Sequence, residues 1–188
     1  MTRHTHVGVD LGLTDQEKTY LHTIARSVIE SRAAGTSLPA FEKATPTLQE
    51  KRGAFVSLHR KGQLRGCIGY VHAVKPLYQT IQDMAIAAAF QDPRFPPLQE
   101  DELKDLEIEL SVLTPMREIT DIGDIEIGRH GLLLIQGSYS GLLLPQVATE
   151  YGWSRDEFLA HTCLKAGLPK AAWKDKKTKI FVFSADVF

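Results

Sequence analysis

Two extended segments, residues 53–60 (GAFVSLHR) and 63–70 (QLRGCIGY), are separated by little more than Lys61-Gly62. A connection that short makes a tight hairpin, with Gly62 available for positive φ. The hairpin implies antiparallel pairing, since parallel neighbours need a crossover of a dozen residues or more. Residues 106–114 (LEIELSVLT) add a third segment, in which Leu106, Ile108, Leu110 and Val112 alternate with Glu107, Glu109 and Ser111. That alternation describes a half-buried strand with one polar face. Two carboxylates on such a face can serve acid–base chemistry, but more often they are its solvated side.

In an extended segment alternate side chains share a face, so Arg65, Cys67 and Gly69 lie on one side and Leu64, Ile68 and Tyr70 on the other. A guanidinium beside a thiol favours thiolate, the nucleophilic form. This makes Cys67 a candidate reactive residue and Arg65 its electrostatic partner. Gly66 and Gly69 carry no Cβ and let a ligand or a second backbone approach the main chain. The competing reading is an inert core thiol between glycines that mark a bulge or close packing.

Around these strands the chain reads as helices and short strands. Thr14-Asp15-Gln16-Glu17 is a capping box opening a helix with an apolar stripe from Tyr20 to Ile29, and Gly35 offers a stop. Residues 36–52 have no period and read as a long connection. Pro76 suits the first turn of a helix whose stripe runs from Leu77 to Ala88. The loop Asp92-Pro93-Arg94-Phe95-Pro96-Pro97 follows, and three prolines within five residues forbid regular structure there. Such a rigid loop can hold Asp92 and Arg94 as binding residues; the alternative is a turn-capping Asp92 and a solvated Arg94. Residues 125–128, 132–136 and 141–144 read as three strands of a meander. Pro145 opens a short helix, Ser154-Arg155-Asp156-Glu157 caps another, and residues 179–187 read as one closing strand.

Composition excludes several classes. With 22 basic and 23 acidic residues the net charge is -1, so no overall field gathers nucleic acid or anionic lipid. The lysines at 174, 176, 177 and 179 form a basic turn, which leaves a nucleic-acid regulator as the weakest reading. The start of the chain lacks an apolar signal segment and no apolar run approaches the ~20 residues that span a bilayer, so a cytoplasmic protein without membrane contact is expected. Two cysteines, Cys67 and Cys163, are too few for a disulfide framework. His161 and Cys163, two apart on a helix, point roughly 200° from each other and do not chelate one ion as neighbours. With no phosphate-binding or dinucleotide glycine motif either, no metal and no cofactor are expected.

Several segments taken together resemble the AMMECR-type domain family, whose prokaryotic members are called AmmeMemoRadiSam system protein A. They are Leu64-Arg65-Gly66-Cys67-Ile68-Gly69, Asp92-Pro93-Arg94-Phe95, Leu110-Ser111-Val112-Leu113, residues 141–148 (GLLLPQVA) and residues 158–169 (FLAHTCLKAGLP). The resemblance covers residues 14–188 as a single domain and leaves residues 1–13 as an N-terminal extension. It implies an α+β fold, mostly antiparallel sheet with flanking helices, in a larger and a smaller subdomain. It also implies a system shared with a Memo-like protein and a radical S-adenosylmethionine protein, and it assigns no reaction.

Two functional readings follow. In the first, the protein binds or modifies a small molecule: Cys67 is the nucleophile or ligand-binding thiol, Arg65 holds an anionic group, and His161 or Asp92 carries a proton. Gly66, Gly69, Asp92, Arg94, Gln146 and Cys163 then match motif positions as substrate-binding candidates. In the second, the protein is a non-catalytic adaptor of the same system and the motif is a conformational feature.

Overall fold

The computed structural model describes residues 9–41 and 44–188. Residues 1–8 of the expected extension, including the stretch read as lacking a signal segment, and residues 42 and 43 of the long connection lie outside the described residues. The fold is α+β, with antiparallel sheets and flanking helices divided between two compact units. One unit is Gly12–Leu113 with Phe188; the other is Thr114–Val187 with residues 9–11.

In the first unit α1 (Asp15–Ala33) begins at the expected capping box. The Thr14 hydroxyl accepts from the Glu17 N–H, and the Glu17 carboxylate accepts from the Thr14 N–H. Leu21, Ile24, Ala25, Val28 and Ile29 form its buried stripe. The connection over 36–52 holds one helical turn that the sequence reading missed, α2 (Pro46–Gln49), capped by Thr45. Four residues are too few to show a 3.6-residue period. Strands β1 (Ala54–Arg60) and β2 (Gln63–Tyr70) form the hairpin, and both Lys61 (φ 51) and Gly62 (φ 74) are left-handed, as a type I′ turn demands. Helix α3 (Leu77–Phe90) packs on β1 and β2, α1 packs on α3, and β3 (Leu106–Leu113) joins the far side of β1. The strands run β2-β1-β3, which leaves β2 at the sheet edge. Ala54, Val56 and Leu58 are sealed on the helix side, while Phe55, Ser57 and His59 occupy the other face.

In the second unit β4 (Arg117–Ile119), β5 (Gly131–Gln136), β6 (Tyr139–Leu143) and β7 (Lys179–Phe183) order as β4-β7-β5-β6. Helices α4 (Pro145–Glu150) and α5 (Arg155–Lys165) lie between β6 and β7 in the chain, and the second capping box at Ser154 forms as expected. Two expectations fail here. Residues 125–128 are a turn, in which the Arg129 and His130 N–H groups both donate to the Glu126 carbonyl and Gly128 takes φ 85. The run 179–187 breaks at Ser184, whose N–H donates to the Thr114 hydroxyl, separating β7 from β8 (Ala185–Val187). Phe158, Leu159, Cys163, Leu132, Leu134, Ile180 and Val182 share this unit's core. No helix among the described residues is long and apolar enough to cross a membrane.

Candidate functional site

The hairpin register decides which way Cys67 points. Next to the turn, Arg60 pairs with Gln63 and His59 with Leu64; one step further Leu58 pairs with Gly66 and Ser57 with Cys67. Arg65 is therefore an extra residue, a β-bulge. Carried on without it, the turn register would set Cys67 opposite Val56, on the helix side. The extra residue moves Cys67 to the other face, because a one-residue slip exchanges the two faces of a strand.

On that face Cys67, Ser57 and Glu109 form a row across β2, β1 and β3. The Ser57 hydroxyl, only 5% exposed, donates to Cys67 Sγ at 3.2 Å. Burial pushes the Cys67 thiol up; the Ser57 hydrogen bond and the Arg94 guanidinium pull the other way, and Asp92 and Glu109 add to the rise. The resting form at neutral pH is the thiol, not the thiolate that the sequence reading favoured.

Cys67 also anchors the proline-rich loop. Its N–H donates to Asp92 Oδ2 at 2.9 Å, and its carbonyl accepts from Arg94 Nη2 at 3.2 Å. Both groups point away from β1, so two loop side chains occupy hydrogen-bonding positions that an adjacent strand would fill at the sheet edge. Asp92, 4% exposed, further accepts from the Arg94 N–H, Nε and Nη2 at 3.1, 2.9 and 2.7 Å. The Arg94 hydrogen bonds hold its carboxyl far below the usual carboxylate range, with the Cys67 N–H assisting. The Arg94 side chain remains 45% exposed.

Arg65 does not serve the thiol. As the bulged residue it turns to Glu102, donating from Nε and Nη2 at 2.9 Å each, and to the Pro96 carbonyl at 3.0 Å. Arg60 reaches the same carboxylate at 3.0 Å, and the Arg65 hydrogen bond is the main reason that Glu102 is held down at about 2. The Phe95 ring lies 5.9 Å from the Arg65 guanidinium and 5.4 Å from that of Arg94, which fastens the loop from two directions. The cation beside the sulfur is Arg94.

The other predicted positions are used differently. A Cβ on Gly66 would run into the Ala88 carbonyl of α3, and one on Gly69 into the Phe55 ring. Both glycines thus accommodate packing, and the expected open space for a ligand is filled. Gln146, in the first turn of α4, is buried, and Cys163 is fully buried in the core of the second unit. His161 belongs to that unit too, its ring stacked on Trp153 with centroids 3.9 Å apart. The structure thus brings Cys67, Asp92 and Arg94 together within one unit and assigns His161, Gln146 and Cys163 to the other. Sequence reasoning missed Ser57 and Glu102 and treated Glu109 as solvated. A serine amid the apolar residues of GAFVSLHR was the available signal, but its pairing with Cys67 depends on the bulge. No cluster of three metal-ligating side chains occurs among the described residues.

A family model described as AMMECR1 matches residues 22–188. "Protein NEQ441" of Nanoarchaeum equitans is 43% identical over 175 residues, spanning 89% of this chain and 97% of its own. A protein of Methanothermobacter thermautotrophicus is 44% identical over 183 residues, spanning 94% and 95%. The crystal structure of protein PH0010 from Pyrococcus horikoshii matches with a TM-score of 0.88 at 41% identity, over 93% of this chain and 92% of that one. With the family match extending through both units, the chain belongs to the AMMECR1 family.

Proposed function

We propose that this AMMECR1-family protein binds or modifies a small molecule at Cys67. The thiol is the reacting or ligand-contacting group, and Arg94 holds a carboxylate, phosphate or developing oxyanion beside it. The observation that carries this reading is the polar setting of Cys67: a hydroxyl 3.2 Å from its sulfur and, hydrogen-bonded to its carbonyl, a part-exposed guanidinium pinned by a buried carboxylate. A thiol serving only as core filler has no use for either. The family resemblance supplies the proposed partners, a Memo-like protein and a radical S-adenosylmethionine protein.

The test is alkylation of the native protein, with the label located by peptide mass. Cys67 is expected to react more slowly than free cysteine with iodoacetamide below pH 8, since burial keeps its proton on. Relative to free cysteine it is expected to favour anionic iodoacetate by up to about fivefold, the ratio that ~1 kcal/mol of attraction to an exposed cation supplies. Arg94→Gln removes that preference. If native Cys67 takes neither reagent up to pH 10, yet labels once the chain is unfolded, the reading is wrong.

A second reading has its own support. Asp92, Arg94 and Arg65 spend most of their hydrogen bonds inside the molecule, as a clasp holding loop to strand would. On this reading the protein is a non-catalytic adaptor of the same system. It predicts a stoichiometric complex when the native system is purified, and recovery of the three proteins separately argues against it.

A further inference from the structure

With Cys67 taken as the reacting thiol, its proton needs an acceptor. Asp92 is spent, its two oxygens engaged by Arg94 and by the Cys67 N–H. Because the thiol rests protonated, any bond-forming step at sulfur must dispose of that proton.

We propose that His59 is the general base for Cys67, carried on the neighbouring strand two residues beyond Ser57. The argument rests on the sheet face. Ser57 is the direct partner of Cys67, so His59, next on the same face of β1, stands diagonal to Cys67. Diagonal cross-strand positions lie about 7–8 Å apart, a gap that an imidazole arm and one water or substrate atom can bridge. His59 is half-buried, so its ring is neither sealed in the core nor free in bulk water. The other imidazoles of this unit lie elsewhere, His22 on α1 and His72 in the loop after β2.

The charged groups around the pair come from three elements. Glu107 and Glu109 face it from β3, with Glu107 directly opposite His59 and Glu109 opposite Ser57. Arg65, on β2, is committed to Glu102, and the loop contributes the internally paired Asp92 and Arg94. A base with an acid placed opposite to orient it is the usual arrangement for activating a nucleophile. In the step itself the sulfur bonds to an electrophilic carbon, and the bond from that carbon to its leaving group breaks, taking the electron pair with it. The thiol proton passes to His59, directly or through one water, and then to solvent.

This inference rests on the Cys67 reading, and iodoacetamide separates the two. On the native protein, with rates followed on the Cys67 peptide from pH 5 to 10, the wild type is expected to show a labelling component below about pH 8 in addition to the rise that thiol ionisation brings above it. His59→Gln and His59→Asn are each expected to abolish that component and slow labelling at pH 7.5 by at least about tenfold. His72→Gln, in the loop after β2, is expected to keep it, and unchanged circular dichroism establishes that each variant is folded. A wild-type profile with a single rise above pH 8, or superimposable wild-type and His59→Gln profiles, overturns the role of His59 while leaving Cys67 reactive. No labelling of Cys67 at any pH removes the thiol reading and this inference with it.

Discussion

Gly66→Ala is expected to destabilise the protein by about 3 kcal/mol, the upper end of what overpacking costs, read as a fall in the urea midpoint. The obstacle that the new methyl meets is the backbone carbonyl of Ala88, in the last turn of α3. A side chain can rotate away from such an intruder; a backbone carbonyl fixed in a helix moves only if helix and strand part. That seam is where α3 packs on β1 and β2, with Ile81, Ala85 and Ala88 buried beside it. Ala88→Gly is not expected to rescue the variant, since it removes a methyl and leaves the carbonyl in place. Leu64→Ala, two residues away and exposed, should stay within about 0.5 kcal/mol of wild type. Were Gly66 present to admit a ligand, Gly66→Ala would impair binding and leave stability alone.

Replacing Asp92 by alanine is expected to cost about 1–3 kcal/mol, the range for leaving a buried donor unsatisfied. The Cys67 and Arg94 N–H groups both lose their acceptor, whereas the guanidinium, already part-exposed, recovers water. The same carboxylate gives the stability a pH signature. Asp92 and Glu102 both have folded values below their ordinary values of 3.8 and 4.5, so each stabilises the fold above that ordinary value. The stabilisation is lost as pH falls toward the folded value, about 2 for Glu102 and lower still for Asp92. Urea midpoints taken from pH 7 down to 2 are therefore expected to fall below about pH 4.5 in wild type. Asp92→Asn and Glu102→Gln should begin lower and fall less steeply. A wild-type midpoint flat from pH 5 to 2.5 would contradict this account of the clasp.

Much of the architecture was legible because it depends on near neighbours in the chain. The capping boxes at Thr14 and Ser154, the tight turn at Gly62, the stripe of α3 and the alternation of β3 each arise within about a dozen residues. The failures have two causes. The turn of α2 and the strand β4 are too short to impress a period, and the break at Ser184 follows from a hydrogen bond to Thr114, seventy positions away.

For the candidate site, the sequence alone determined that Cys67 lies in a hairpin strand followed by a helix and a rigid loop bearing Asp92 and Arg94. Local periodicity and proline chemistry suffice for that. Only the tertiary structure decided which face the sulfur takes and which cation accompanies it. The bulge at Arg65 arises where that guanidinium meets Glu102, thirty-seven positions on, and a shift of one residue exchanges the two faces of a strand. Arg65 is drawn to Glu102, Cys67 turns to Ser57, and Arg94 takes the place beside it because its own backbone is held by Asp92. A contact between residues so far apart in the chain leaves no trace in the pattern of its neighbours.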